Sequence, residues 1–100
     1  VEDIVEMIYW FERATFNGSE DAYANLATLY ENEFRDVLAE MEVAANNGNA
    51  MAQFNLGWIN ARGLYSSEGL MQDINVAKAW FEKSAALGFQ DAIEVLDKNF

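Results

Sequence analysis

The chain is predicted to be all-α, a right-handed superhelical stack of antiparallel helical hairpins: an α/α solenoid of about two and a half repeats. Three observations predict it. The frame Gly-x-x-x-Ala-x-x-x-Leu occurs at Gly18/Ala22/Leu26, Gly48/Ala52/Leu56 and Gly88/Ala92/Leu96, spaced by 30 and then 40 residues. A period in that range marks stacked helical units, none of which can bury its apolar face alone. The runs between the glycines are apolar at helical spacing rather than in strand-like alternation, and the chain has no proline to break them.

Six helices follow in order. Residues 2–16 carry Ile4, Ile8, Phe11 and Thr15 on one face. Gly18 then stands where a residue of positive φ ends a helix, and Ser19 is placed to cap the next. Residues 20–31 carry Ala22, Leu26, Leu29 and Tyr30, and residues 33–46 carry Phe34, Val37, Leu38, Met41 and Ala45. Gly48 and Asn49 repeat the stop-and-cap pair. Residues 50–62 are apolar on two opposite faces, Ala52/Leu56/Ile59 and Met51/Phe54/Trp58/Ala61. A helix of that kind is buried between neighbours. Its polar residues form two strips, Gln53 with Asn60 and Asn55 with Arg62, of which one is expected to border a concave groove. Residues 63–72 hold two glycines and two serines and form the one long loop. Its Leu64, Tyr65, Leu70 and Met71 are too apolar for a free linker and are expected to fold back onto the array; the alternative is that they await a partner. Asp73 caps a helix over 74–87, Gly88 ends it, and residues 89–99 form the last.

The segments before the glycines also repeat: Trp10-Phe11-Glu12-Arg13-Ala14-Thr15, Glu40-Met41-Glu42-Val43-Ala44-Ala45 and Trp80-Phe81-Glu82-Lys83-Ser84-Ala85. A bulky pair precedes a small pair by three or four residues, so the two share one helix face. Trp10, Phe11, Trp80 and Phe81 are expected in the core. Asn49-Ala50-Met51-Ala52-Gln53-Phe54-Asn55-Leu56-Gly57-Trp58, with Asp73, Ala77, Ala79–Ala85 and Gly88, resembles one complete Sel-one-like repeat, a family related to the tetratricopeptide repeats. The match is specific over 48–96 and weaker over 7–47. The hairpin of 19–47 is shorter, has Ala27 for Gly57, and has Glu40 where the other copies have tryptophan. The resemblance implies a half-repeat at 1–18, a short repeat at 19–48, a full repeat at 49–88 and a capping helix at 89–100, all one domain. It also implies protein–protein interaction, as in signalling scaffolds and bacterial envelope and host-contact systems. Small stand-alone members look similar to immunity proteins that neutralise a bacterial toxin. That inhibitor role is the preferred expectation; a scaffold, an adaptor or a fragment of a larger repeat protein is the alternative.

Composition bounds the function. One hundred residues with 52% hydrophobic content suffice for one domain with a true core. With no histidine and no cysteine, general acid–base work would fall to carboxylates or lysines of strongly shifted pKa. No disulfide, zinc–thiolate or thiol chemistry is available, and no phosphate-cradling loop, serine elbow or calcium loop is present. The expectation is no catalysis, no cofactor and no metal. No apolar run approaches the ~20 residues of a membrane span, and no signal peptide is visible, so a cytoplasmic location is expected. The net charge is −11. Residues 1–50 hold eleven acids and two bases; residues 51–100 hold six acids and four bases. Nucleic acid needs a basic footprint and anionic membranes attract cations, so neither is an expected partner. A basic protein is.

The candidate contact residues are Glu31, Glu33, Asp36 and Glu40 on the third helix and its approach, and Asn55, Trp58 and Arg62 in the groove. Glu33, Asp36 and Glu40 fall at i, i+3 and i+7, one stripe of one sign. Asp36 and Glu40 repel at i,i+4 by about 0.2–0.5 kcal/mol, which Glu33 and Asp36 near a helix start partly offset. Glu40 stands in a tryptophan position. Trp58 is expected first in the core; because it aligns with Thr28 and Lys98, a partly exposed position that anchors a partner is the alternative.

Overall fold

The computed structural model of the chain describes residues 3–63 and 72–99, without the side chain of Phe34. The expected fold-back of Leu64, Tyr65, Leu70 and Met71 lies outside the described residues, as does the core role expected for the Phe34 side chain. The described residues are all-helical: α1 (Ile4–Phe16), α2 (Glu20–Asn46), α3 (Ala50–Arg62), α4 (Ile74–Ala86) and α5 (Gln90–Asn99). Within α2, Glu33 leaves helical geometry at φ −130° and ψ 25°. The expected break near residue 32 is therefore a kink that joins two helical segments, giving six in all. Nothing there ends the helix as Gly18 does, because the chain has no glycine or proline between Gly18 and Gly48.

Three helix ends close identically. Gly18, Gly48 and Gly88 have φ of 97°, 90° and 87°. At the first, the Gly18 N–H donates to Thr15 O at 3.0 Å and the Ser19 N–H to Ala14 O at 3.0 Å. At the second, Gly48 donates to Ala45 O (3.1 Å) and Asn49 to Ala44 O (3.0 Å); at the third, Gly88 donates to Ala85 O (2.8 Å) and Phe89 to Ser84 O (3.2 Å). These are Schellman closures, which satisfy the carbonyls left open at a helix end. Ser19 and Asn49 then accept from Ala22 N (3.1 Å) and Ala52 N (3.0 Å), and Asp73 caps α4 through Val76 N at 3.1 Å. The third corner keeps the backbone but replaces the polar cap with Phe89, whose ring lies 5.3 Å from Phe54 and 5.6 Å from Tyr9.

Each helix packs against the next, and α1 also packs against α3. The described residues extend 32 × 28 × 25 Å. The core divides into two clusters around α3. One holds Ile8, Leu26, Tyr30, Val37, Met41 and the α3 face Ala52/Leu56/Ile59. The other holds Tyr9, Phe54, Ala77, Phe81, Ala92 and Val95, with Met51, Trp58 and Ala61 packed against it. The two apolar faces of α3 thus serve the two clusters as its periodicity requires. Gly57 lets Phe81 lie directly on the α3 backbone.

The first helix departs from expectation. Its buried residues are Val5, Ile8, Tyr9 and Glu12, while Ile4, Phe11 and Thr15 are only partly covered. The helix is rolled by roughly one position, about 100°, because it meets α3 as well as α2 and must bury a face towards both. Trp10 consequently points outward at 53% exposure, a correction to its expected core role. Phe81 is fully buried, and Phe11 and Trp80 are partly so.

Candidate protein interface

Glu31, Glu33, Asp36 and Glu40 are all exposed on α2, with Glu42 beyond them. The reason is local. Val37, Met41 and Ala45 supply the buried face of this segment, and at 3.6 residues per turn Asp36, Glu40 and Val43 fall on another face together. Glu33 sits at the kink itself, at the entry to the second helical segment. Of the two tryptophans equivalent to Glu40, Trp10 is exposed and Trp80 is partly buried against the first core cluster, so the position lies at the edge of the core and an acid there is compatible with a solvated helix face.

The polar strips of α3 are buried rather than groove-lining. Asn55 is fully buried, Gln53 is 5% exposed and Asn60 is 7% exposed. The Asn55 amide donates to Val5 O at 2.9 Å, Gln53 to Ala45 O at 3.0 Å, and Asn60 to Leu56 O at 2.8 Å. Asn55 is therefore a bolt between α1 and α3, not a partner contact. A helix wrapped on all sides turns its polar side chains inward, where each must find a hydrogen bond. Arg62 is also turned inward: it pairs with Glu12, which is fully buried, and its guanidinium lies 5.7 Å from the Trp58 ring centroid. Tyr30 donates to the second Glu12 oxygen at 2.9 Å. Glu12, Tyr30 and Arg62 thus tie three helices through one carboxylate.

Trp58 is half-buried, between Phe16 (5.3 Å between ring centroids) and Phe81 (5.5 Å). It lines a cavity of about 240 Å³ between the C-terminal end of α1, the middle of α3 and the length of α5, with Phe16, Arg13, Lys98, Asp91 and Glu94 among the other lining residues. Two bases and two acids leave that cavity without a preferred charge. Beside it Tyr9 donates to Asp91 and accepts from Arg13 Nη1 at 3.3 Å. Burial, and then the Asp91 carboxylate, push the Tyr9 phenol above its ordinary range.

A second depression, open and about 620 Å³, runs between the start of α1 and the second segment of α2. Asp3, Ile4, Val5, Ala39, Glu40 and Val43 line it, and its lining includes no basic residue. Val43 is 63% exposed. Of the expected contact residues, the structure brings Glu40 to this depression, leaves Glu31, Glu33 and Asp36 exposed on the same helix, and puts Asn55, Trp58 and Arg62 elsewhere, one of them wholly in the core.

Sequence reasoning missed Glu12 and Tyr9. The signal available was Arg62: a cation on a helix apolar all round needs an opposite charge, and Glu12 lies on the stripe Val5/Ile8/Tyr9/Glu12 at i, i+3, i+4 and i+7. Glu12 was hidden by its alignment with Glu42 and Glu82, both exposed.

No family model, curated protein or solved structure gives a significant match to the chain. Among the described residues no helix is long and apolar enough to cross a membrane.

Proposed function

We propose that the chain is a non-catalytic protein-binding module whose acidic face takes a basic protein partner. Its helices are read as a right-handed superhelical stack of Sel-one-like hairpins, a reading supported by the three matching glycine corners. The observation that carries the functional reading is the exposed row Glu31, Glu33, Asp36 and Glu40 leading into a depression whose lining has acids but no base. Opposite charge on a partner speeds encounter and fixes register. An inhibitor of a basic protein, such as a toxin-neutralising immunity protein, fits the charge of −11; a scaffold or adaptor is the alternative.

The test is affinity against charge. A partner isolated from the source cell at low salt is titrated against the chain and its Asp36→Asn/Glu40→Gln variant. The neutral double variant is expected to bind more weakly, reversal of both charges to weaken binding by more than about 2 kcal/mol, and the wild-type on-rate to fall as rising ionic strength shortens the Debye length to roughly 10 Å at about 0.1 M. Unchanged affinity with an unchanged fold removes the acidic face from the interface.

A further inference from the structure

We infer that the depression between α1 and α2 seats the apolar side of a basic amphipathic helix. This inference rests on the basic-partner reading and gives it a location and a shape. Charge alone would place a partner anywhere along α2. The depression adds a second, chemically different requirement. Its floor is Ile4, Val5, Ala39, Val43 and Ala44, and Asp3 and Glu40 stand among them.

Ala39 and Ala44 are small, so a facing helix can approach closely. Val43, 63% exposed, and Ile4, which packs against the first core cluster and stays partly exposed, give an apolar surface beside the acids. The acids are graded. Asp3 already accepts from Val5 N (2.9 Å) and Glu6 N (3.3 Å) as the α1 cap, so its charge is partly balanced by the helix end. Glu40 has no such balance, and Asp36 precedes it by one turn on the same face.

A ligand that satisfies both requirements carries aliphatic residues at helical spacing for Val43 and Ile4, and lysine or arginine beside them for Glu40 and Asp36. That is a helix-in-groove mode with a basic rim. The cavity at Trp58 does not compete for this ligand, because Arg13 and Lys98 line it together with Asp91 and Glu94.

The probe is a synthetic amphipathic helical peptide with leucines on one face and lysines on the rest, compared with a scrambled peptide of the same composition. Binding is followed by fluorescence anisotropy, and its location by backbone amide chemical shifts. The amphipathic peptide is expected to bind at least ~10-fold more tightly than the scrambled one, since the buried anchor carries most of the energy. Shift changes should centre on Ile4, Val5, Ala39, Val43 and Ala44. Val43→Glu, at an exposed position, should abolish the difference between the peptides while leaving the far-ultraviolet spectrum unchanged.

Equal, salt-sensitive binding of both peptides overturns the inference and leaves the acidic-face reading standing. Binding of neither peptide overturns both. Shift changes centred on Trp58 overturn the location. A dimer of the free chain that Val43→Glu dissociates makes the occupant a second copy, and overturns the basic helix.

Discussion

Gly57 lies against the ring of Phe81 so closely that a Cβ on residue 57 would stand 2.6 Å from Cδ1 and 2.7 Å from Cζ. The contact joins α3 to α4 within the second core cluster, where Phe81 is fully buried. Gly57→Ala is therefore expected to destabilise the fold by about 1–3 kcal/mol through overpacking, read as a lower denaturant midpoint. An unchanged midpoint would mean that Phe81 can repack.

Gly48→Ala should also destabilise, for a different reason. Nothing lies within 4 Å of a Cβ at Gly48, but its φ is +90°. The loss is conformational, about 1 kcal/mol or more. Gly48→Asn should recover part of it, because asparagine tolerates a left-handed backbone; equal losses for both substitutions would count against that explanation.

Arg62→Ala is expected to cost about 3 kcal/mol or more, since it leaves the carboxylate of Glu12 buried without its cation. The triple change Arg62→Met/Glu12→Leu/Tyr30→Phe should cost much less, because it removes both charges together with the hydroxyl that donates to Glu12. Thermal unfolding of the two variants separates this pairing from simple loss of packing.

Asn55→Ala should lower stability by about 1–3 kcal/mol, the penalty for breaking a buried hydrogen bond, and should leave partner affinity at its wild-type value. A loss of affinity without a loss of stability would return Asn55 to the interface.

The pH dependence at the alkaline end has a defined sign. The folded Tyr9 phenol titrates above its ordinary value, so the unfolded chain releases this proton first, near pH ~10. The contribution of Tyr9 is fully present below that pH and is lost as pH rises through the folded pKa. Tyr9→Phe should flatten this limb of the stability curve, measured by urea midpoints across the alkaline range.

Much of the fold is legible in the sequence because its signals are local. Gly18, Gly48 and Gly88 announce their backbone conformation, Ser19, Asn49 and Asp73 announce the helix starts, and Ala52/Leu56/Ile59 against Phe54/Trp58 announces a helix with neighbours on both sides. Long-range matters are less legible. The roll of α1 depends on its meeting α3, which shares no local signal with it, so Trp10 reads as core although it is exposed, and Glu12 is buried although it lies off the expected face Ile4/Ile8/Phe11/Thr15. The candidate interface shows the same division. Exposure of Asp36 and Glu40 follows from helical period alone, whereas Glu33 stands at the kink, where the period is interrupted. The burial of Asn55 follows only from tertiary packing, because an asparagine strip on a helix looks the same whether it faces water or a neighbouring backbone.

The two faces of α3 have a consequence for the order in which this chain opens. Ala52, Leu56 and Ile59 belong to one core cluster and Phe54 to the other, so detaching α5 uncovers residues of the second cluster only, and fraying the first part of α2 uncovers residues of the first only. Neither event exposes both sides of α3. Its amides will exchange with deuterium only when the whole molecule unfolds, while those of α5 will exchange through smaller openings. The helix richest in buried side chains therefore sets the slowest clock in the protein, and the gap between its exchange rate and that of α5 measures how strongly the two clusters are coupled.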